Sequence, residues 1–482
     1  MQERYIASVD LGTSKFAVAV AKVTGEDVQV IYYDETPADG IRYGGVFNPK
    51  RASVPLKKAL AKAEEELGIK IMQVVVGLPR YGVRQEIAPA KIERSDPDEC
   101  ISQEEVDNLK QIARDEYPLD DATKEEIYGV VTQYFATDDM IQATERDVVG
   151  APSSILEGTF KVFVGSQKPA SNLDKVMNEV GVAIAQRYFL PNAVGKTVLS
   201  RQEMENGVAL IEFGGGVTSL TIYQGTILRY YNAIPFGGRS ITDDIKHECG
   251  FQESLAENIK LAFGACMPDR LQSMTEKVIQ IDDEEDGTSQ QLPVKYLSEI
   301  ITCRAKEIIN AMLFMIQKSG YGDRLRNGVV LTGGGANLVN LSNYIKELSG
   351  YNVRIGYPRI SNLSVSGCHG IEETGAVASV AMIHWSSEDP HLNCIMTEEE
   401  AAEATAVTDA AASRSAGASL DDPEGLKGTV FGAVDQEVVS PGKRKKEKEG
   451  KPRRSLLWGR KIKDSLGNMI DSTVGNLYDT ME

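Results

Sequence analysis

The chain has 482 residues, 42% of them hydrophobic and 25% charged, so it can bury globular cores and is neither disordered throughout nor fibrous. At this length two lobes or several subdomains are expected rather than one core. The formal charge of −18 argues against a nucleic-acid partner, since phosphates would be repelled by most of the surface. The charge is uneven: residues 443–482 hold eleven Lys and Arg against six Asp and Glu, which leaves the first 442 residues at −23. A basic end on an acidic body suggests that the two parts meet different partners.

Residues 5–10 read as a buried strand and residues 15–23 as a second, and the LGTS turn between them is short enough for a hairpin. Residues 55–67 have helical periodicity, and residues 72–76 read as a strand. Ser102 with Glu105 three positions on is a capping box, opening a helix over 103–117. Strands are predicted at 127–135 and 159–164, and a helix at 173–180. At 208–223 the text VALIEFGGGVTSLTIY repeats the logic of YIASVDLGTSKFAVAV about 200 residues earlier. Two such hairpins, each opening an α/β unit, imply two related lobes with a ligand between them. Residues 279–291, IQIDDEEDGTSQQ, read as an acidic surface loop, and a strand at 329 runs through three glycines into a helix from about Leu338.

After Trp385 the composition changes. Residues 386–442 hold twelve acidic and two basic residues and one aromatic, Phe431, which reads as a disordered linker. The basic run KRKKEKEGKPRR follows. Trp458, Ile462, Leu466, Ile470, Val474, Leu477 and Met481 then recur at helical spacing, with Arg460, Lys461 and Lys463 mainly off that face. This reads as a helix lying in an anionic membrane interface. The N-terminus MQERYIASVD has no signal-peptide core, and no run approaches the ~18 to 20 apolar residues that span a bilayer. The expectation is a cytoplasmic protein attached to the membrane from inside. Six scattered cysteines, with no C-x-x-C pair, read as free thiols rather than a metal site.

Three clusters carry chemistry. In Asp10-Leu11-Gly12-Thr13-Ser14-Lys15 a strand ends in a carboxylate, and a tight turn then offers backbone N–H groups, two hydroxyls and an ammonium to phosphate oxygens. Asp10 would itself repel phosphate, so its useful role is to hold Mg2+ through the ion's waters. Glu212-Phe213-Gly214-Gly215-Gly216-Val217-Thr218 repeats that context, and three glycines between buried strands need a reason such as close approach to a ligand. The third, VVLTGGGA at 329–336, suits an adenosine group over the backbone at a helix start. Gly195-Lys196-Thr197 only mimics the end of a Walker A loop, because the motif needs Gly where Leu190 stands.

The ordered set DLGTSK, EFGGGVT and LTGGGA resembles the phosphate 1, phosphate 2 and adenosine pattern of the actin, Hsp70 and sugar-kinase superfamily. Within it the chain resembles the FtsA family of bacterial cell-division actin homologues. IPFGGRSITDDIK (234–246), AENIKLAFG (256–264), VRIGYP (353–358) and VVVGLPRYGVRQ (74–85) extend the likeness. The resemblance implies an α/β, two-lobed actin/Hsp70-like fold with an inserted subdomain 1C at 84–166. Subdomain 1A would be 1–83, 167–206 and 361–385; 2A would be 207–238 and 300–360; 2B would be 239–299. A linker at 386–454 and a membrane-targeting helix at 455–482 would follow. ATP with Mg2+ would sit between the lobes. Gly12, Thr13, Ser14 and Lys15 would face the phosphates opposite Gly214, Gly215 and Gly216, while Glu257, Lys260, Gly334, Gly335 and Ala336 would hold the nucleoside. The implied function is a polymerising membrane adaptor that anchors the C-terminal peptide of FtsZ through 2B and meets later division proteins through 1C; a sugar kinase of the same superfamily is the alternative. The resemblance implies that Asp10 and Glu212 are the catalytic carboxylates, positioning Mg2+ and water, but Glu212 stands where the family usually has Asp, and Val217 where Thr is usual. A displacement on the order of 1 Å can cost about 100-fold in rate, so slow hydrolysis is expected.

Overall fold

The computed structural model describes residues 3–282, 289–359 and 363–397. The residues expected to meet a membrane, Trp458 to Met481, and residues 398–454 of the expected linker lie outside that set.

The predicted hairpins form, and they seed two sheets of matching topology. In the first, Arg4–Leu11 pairs antiparallel with Lys15–Thr24 and parallel with Gln73–Gly77, which pairs in turn with Ala183–Tyr188. In the second, Val208–Phe213 pairs antiparallel with Thr218–Gln224 and parallel with Val329–Thr332, which pairs with Val353–Ile355. A third antiparallel strand extends each hairpin, Asp27–Pro37 in one and Ile227–Ile234 in the other. The central strands are nearly continuous runs of buried residues, as parallel sheets covered on both faces require. A separate three-stranded antiparallel sheet is built by Arg84–Glu93, Ile155–Ser166 and Glu125–Ala136, with helix Gln103–Asp115 packed on it around Leu109, Phe135 and Phe160.

Several boundaries differ from the sequence reading, each for a local reason. The helix placed at 55–67 begins earlier, as Pro49–Leu67: Asn48 caps it by accepting from Arg51 N (3.2 Å), Pro49 occupies its first turn, and Pro55 falls inside. The Ser102–Glu105 capping box is made in both directions, and its helix stops at Asp115. The acidic segment is not simply a loop. Val278–Asp282 and Ser289–Pro293 pair antiparallel, and only residues 283–288, outside the described set, join them. The helix expected from Leu338 starts at Leu341, because Gly334–Asn337 forms a tighter 3-10 turn first. The linker does not begin at Ser386. Helix Val377–Ser387 runs past it, and Ile395–Thr397 adds an antiparallel strand to Ile69–Ile71 with Leu392, Cys394 and Ile395 buried. Averaging over an acidic, alanine-rich window hid that short apolar cluster.

Candidate functional site

A cleft of about 1650 Å³ opens between the two sheets, at the carboxyl ends of Arg4–Leu11, Gln73–Gly77, Val208–Phe213 and Val329–Thr332. In open α/β sheets that edge is where ligands bind, because chain leaving the strands presents turns rather than paired backbone. Asp10, Gly12, Thr13, Ser14, Lys15, Glu212, Gly214, Gly215, Gly216, Glu257, Lys260, Gly334 and Gly335 all line it. Fourteen residues were expected there, and these thirteen arrive from segments more than 300 positions apart.

The two hairpin turns are built alike. A Cβ on Gly12 would lie 2.7 Å from Lys15 O, and one on Gly214 the same distance from Val217 O, so each turn closes on a glycine. The turns also face each other at close range: a Cβ on Gly216 would lie 2.6 Å from Thr13 Oγ1, and one on Gly215 would strike Ser14 Oγ. Glycine is what lets the two backbones approach. The second turn is tied to the start of helix Gly238–Cys249 by Gly238 N to Gly214 O (2.9 Å) and Arg239 N to Gly215 O (2.7 Å).

The third loop divides its labour. Gly333 has φ +84° and lies against the Phe213 backbone; a Cβ on Gly335 would overlap the Phe213 ring; a Cβ on Gly334 would meet open space. Gly334 therefore presents bare backbone to the cleft. Ala336 does not: its side chain is buried in the second core beside Phe213 and Leu341, which corrects its assignment as a nucleoside contact. In a 3-10 turn successive side chains are about a third of a turn apart, so the neighbour of a cleft-facing residue turns inward.

Glu257 and Lys260 sit one turn apart on helix Glu253–Phe263. Lys260 Nζ donates to Glu257 Oε2 (2.7 Å), Thr242 Oγ1 (2.8 Å) and Gly238 O (3.0 Å), and the Thr242 hydroxyl donates to Glu257. The pair is thus an ion pair and part of the cleft wall at once. Burial lowers the Lys260 pKa despite the carboxylate beside it. Lys15 is likewise engaged, by Glu35, which also accepts from the Tyr33 hydroxyl.

Glu212 departs most from its expected role. It is 7% exposed, and its Oε1 accepts from Arg80 Nη1 at 2.5 Å, so it is not a loose carboxylate for metal or water. Burial pushes its carboxyl above the ordinary value, Arg80 pulls it back, and Asp10 pushes it up again. Arg80 itself stays charged: burial opposes the charge, but Glu212 and Asp10 outweigh it. Arg80 lies within the family-like segment 74–85, but nothing in the sequence marks a role for it. The same is true of Thr242, within 234–246, while Glu35 and the turn at Thr374–Ala376, where a Cβ on Gly375 would lie 2.9 Å from Lys15 Nζ, were missed. The available signal for that turn was G-I-E-E-T-G before an apolar run. Gly195-Lys196-Thr197 lies within helix Leu190–Val198, where Thr197 bonds back to Ala193 O (2.9 Å); it is no phosphate loop.

Comparison with known proteins decides the family. A family model described as cell division protein FtsA matches residues 209–380. The cell division protein FtsA of Borreliella burgdorferi is 30% identical over 365 residues, 75% of this chain and 86% of that one. The chain belongs to the FtsA family. The FtsA of Neisseria meningitidis serogroup B is 28% identical over 362 residues, covering 74% of this chain and 85% of its own. Among solved structures, the PilM–PilN type IV pilus biogenesis complex superposes with a TM-score of 0.54 at 14% identity, over 80% of this chain and 99% of that one, and so shares the fold. This FtsA-family chain is thus a cell division protein with the actin-like two-lobed fold. No helix among its described residues is long and apolar enough to cross a membrane.

Proposed function

We propose that this chain is a nucleotide-switched adaptor that binds MgATP in the inter-lobe cleft and joins FtsZ filaments to the inner face of the cell membrane at the division septum. The observation that carries the reading is the convergence of three glycine loops, from three distant segments, on one cleft whose open backbone position is Gly334. Gly12, Thr13, Ser14 and Lys15 hold the phosphates from one side, and Gly214, Gly215 and Gly216 from the other. Glu257, Lys260, Gly334 and Gly335 flank the nucleoside. Asp10 fits a magnesium held through waters and phosphate oxygens. No group of three or more His, Cys, Asp or Glu among the described residues forms a direct metal cluster, and this mode needs none. The ion's part is to neutralise phosphate charge. Hydrolysis is slow because Arg80 holds the Glu212 carboxylate away from the task of orienting water. Occupancy biases the lobes toward closure, and with it self-association, through the difference in affinity between open and closed states.

On the FtsA pattern, 2B (239–299) receives the FtsZ C-terminal peptide and 1C (84–166) serves self-association and later division proteins. Residues 455–482 attach the assembly to anionic lipid through Trp458, Ile462, Leu466, Ile470 and Leu477, with Lys461 and Lys463 at the headgroups. A sugar kinase would leave the basic amphipathic end without a purpose.

Two measurements test the reading. Gly334→Asp places a carboxylate in open cleft space, so titration calorimetry should show ATP binding lost while the melting temperature holds; unchanged ATP affinity refutes the cleft assignment. Trp458→Glu with Ile462→Glu should abolish flotation with anionic liposomes and leave ATP binding intact. Undiminished flotation would overturn the membrane role.

A further inference from the structure

Five cations line the cleft, and a glutamate holds each one. Lys15 meets Glu35, Arg80 meets Glu212, Arg239 meets Glu253 (2.7 Å), Lys260 meets Glu257 (2.7 Å), and Arg270 meets Glu347. Four of these pairs have a partner at least a third exposed, and such pairs are screened and exchange readily. The Arg80–Glu212 pair is different, with side chains only 19% and 9% exposed.

Arg80 also has donors to spare. A guanidinium offers five N–H groups in a planar fork. Nη1 is spent on Glu212, whereas Nη2 is buried with no hydrogen-bond partner in the protein, the one buried cationic nitrogen so placed among the described residues. A buried donor left unmatched is costly, so its position calls for an acceptor. The residue is held in place from behind. Its carbonyl accepts from the Tyr231 hydroxyl (2.5 Å), and the Tyr231 ring packs edge-on against Phe163 and Phe189. Arg80 follows strand Gln73–Gly77 of the first sheet, while Glu212 and Tyr231 belong to strands of the second, so this one side chain spans both halves at the cleft floor.

We propose that Arg80 is a specificity-determining residue of the nucleotide site: Nη1 keeps Glu212 while the Nη2 edge takes a phosphate oxygen, so the cleft prefers nucleoside polyphosphate over nucleoside. The inference rests on the nucleotide reading of the cleft and adds to it the group that selects for phosphate. The charges support it. Asp10 and Glu212 both act on this spot, and two carboxylates facing a polyanion would repel it. Arg80 cancels one of them and offers a charge-assisted donor in the same plane. It thereby makes the longer Glu212 compatible with an anionic ligand. A lysine, as a point charge, could not serve carboxylate and phosphate along two edges.

The test measures affinities of MgATP and of adenosine on the full chain by calorimetry, for wild type, Arg80→Gln, Arg80→Lys and the double variant Arg80→Gln with Glu212→Gln. The double variant removes the buried pair without stranding a charge. It should melt near wild type and bind adenosine normally, with MgATP weakened 10-fold or more. Arg80→Lys should fall between. A double variant with the wild-type ratio of MgATP to adenosine affinity overturns the proposal and leaves Arg80 a structural partner of Glu212. If both glutamine variants fail to fold, Arg80→Lys decides by the same ratio, an unchanged ratio again overturning the proposal. Wild type that binds neither ligand overturns the nucleotide reading itself, and this inference with it.

Discussion

The two hairpin turns share a topology and a glycine-closed geometry, yet their acidic residues live in different worlds. Asp10 ends its strand half-buried at the cleft edge, whereas Glu212, at the matching place in the second sheet, is buried and held by a guanidinium 132 positions away in sequence. The difference shows that a repeated scaffold conserves backbone placement and leaves the chemistry at each turn to what packs behind it. Behind Glu212 stands an arginine fixed by Tyr231. Fold duplication therefore does not imply that two carboxylates do the same work.

That contrast can be broken most forcefully by neutralising each acid in turn. Glu212→Gln strands a buried cation and should cost about 3–5 kcal/mol, against less than about 1 kcal/mol for Asp10→Asn, by urea denaturation. Equal losses would mean the second turn is no more committed than the first. A smaller effect separates two adjacent glycines of the third loop. Gly335→Ala forces a methyl into the Phe213 ring and should cost about 3 kcal/mol, while Gly334→Ala stays within about 0.5 kcal/mol, both read from chemical melts. Glu212→Asp then sharpens the comparison at the level of rate. Shortening the side chain draws the carboxylate off Arg80, and phosphate release should rise from a very slow wild-type value by up to about 100-fold. A brisk wild-type rate, or no gain with ATP still bound, would show that the pairing does not limit hydrolysis.

The smallest expected effect concerns the sheet edges. Gln186 on the first sheet's edge strand meets Asp389 through a neutral amide (2.8 Å), whereas Arg354 on the second is gripped by Glu203 through two bonds of 2.6 and 2.8 Å. Burial would raise the Glu203 pKa, but Arg354 and Ser200 hold it down at about 2. A carboxyl depressed in the folded state adds stability that is complete above its unfolded pKa of roughly 4.3 and is lost as pH falls through the folded value. The penalty of Glu203→Gln should thus be full at pH 7 and shrink between about pH 4.5 and 2. A penalty that does not change with pH would assign the loss to packing.

Much of this was legible in the residues because it is local. VDLGTSKF and LIEFGGGVTSL each encode strand, turn and strand within a dozen positions, and Ser102 with Glu105 marks a helix start by its own side-chain bonds. The glycine clusters announced close approach, and thirteen of the fourteen residues named from these motifs line one cleft. Ala336 failed because a one-residue difference in how a turn is wound sends a side chain inward. The apolar strand at Ile395–Thr397 failed because its stability comes from Ile69–Ile71, more than 300 positions upstream.

Sequence alone thus determined the repeated hairpins, the order of the three loops and the family pattern, since each depends on residues within reach of one another along the chain. Only tertiary structure decided which charges meet. The Arg80–Glu212 pair and the Tyr231 hydroxyl beneath Arg80 arise where two sheets close on each other. A long-range pairing of this kind is set by how whole layers pack, and no spacing or periodicity in the chain encodes the few ångströms that turn neighbouring charges into a bond.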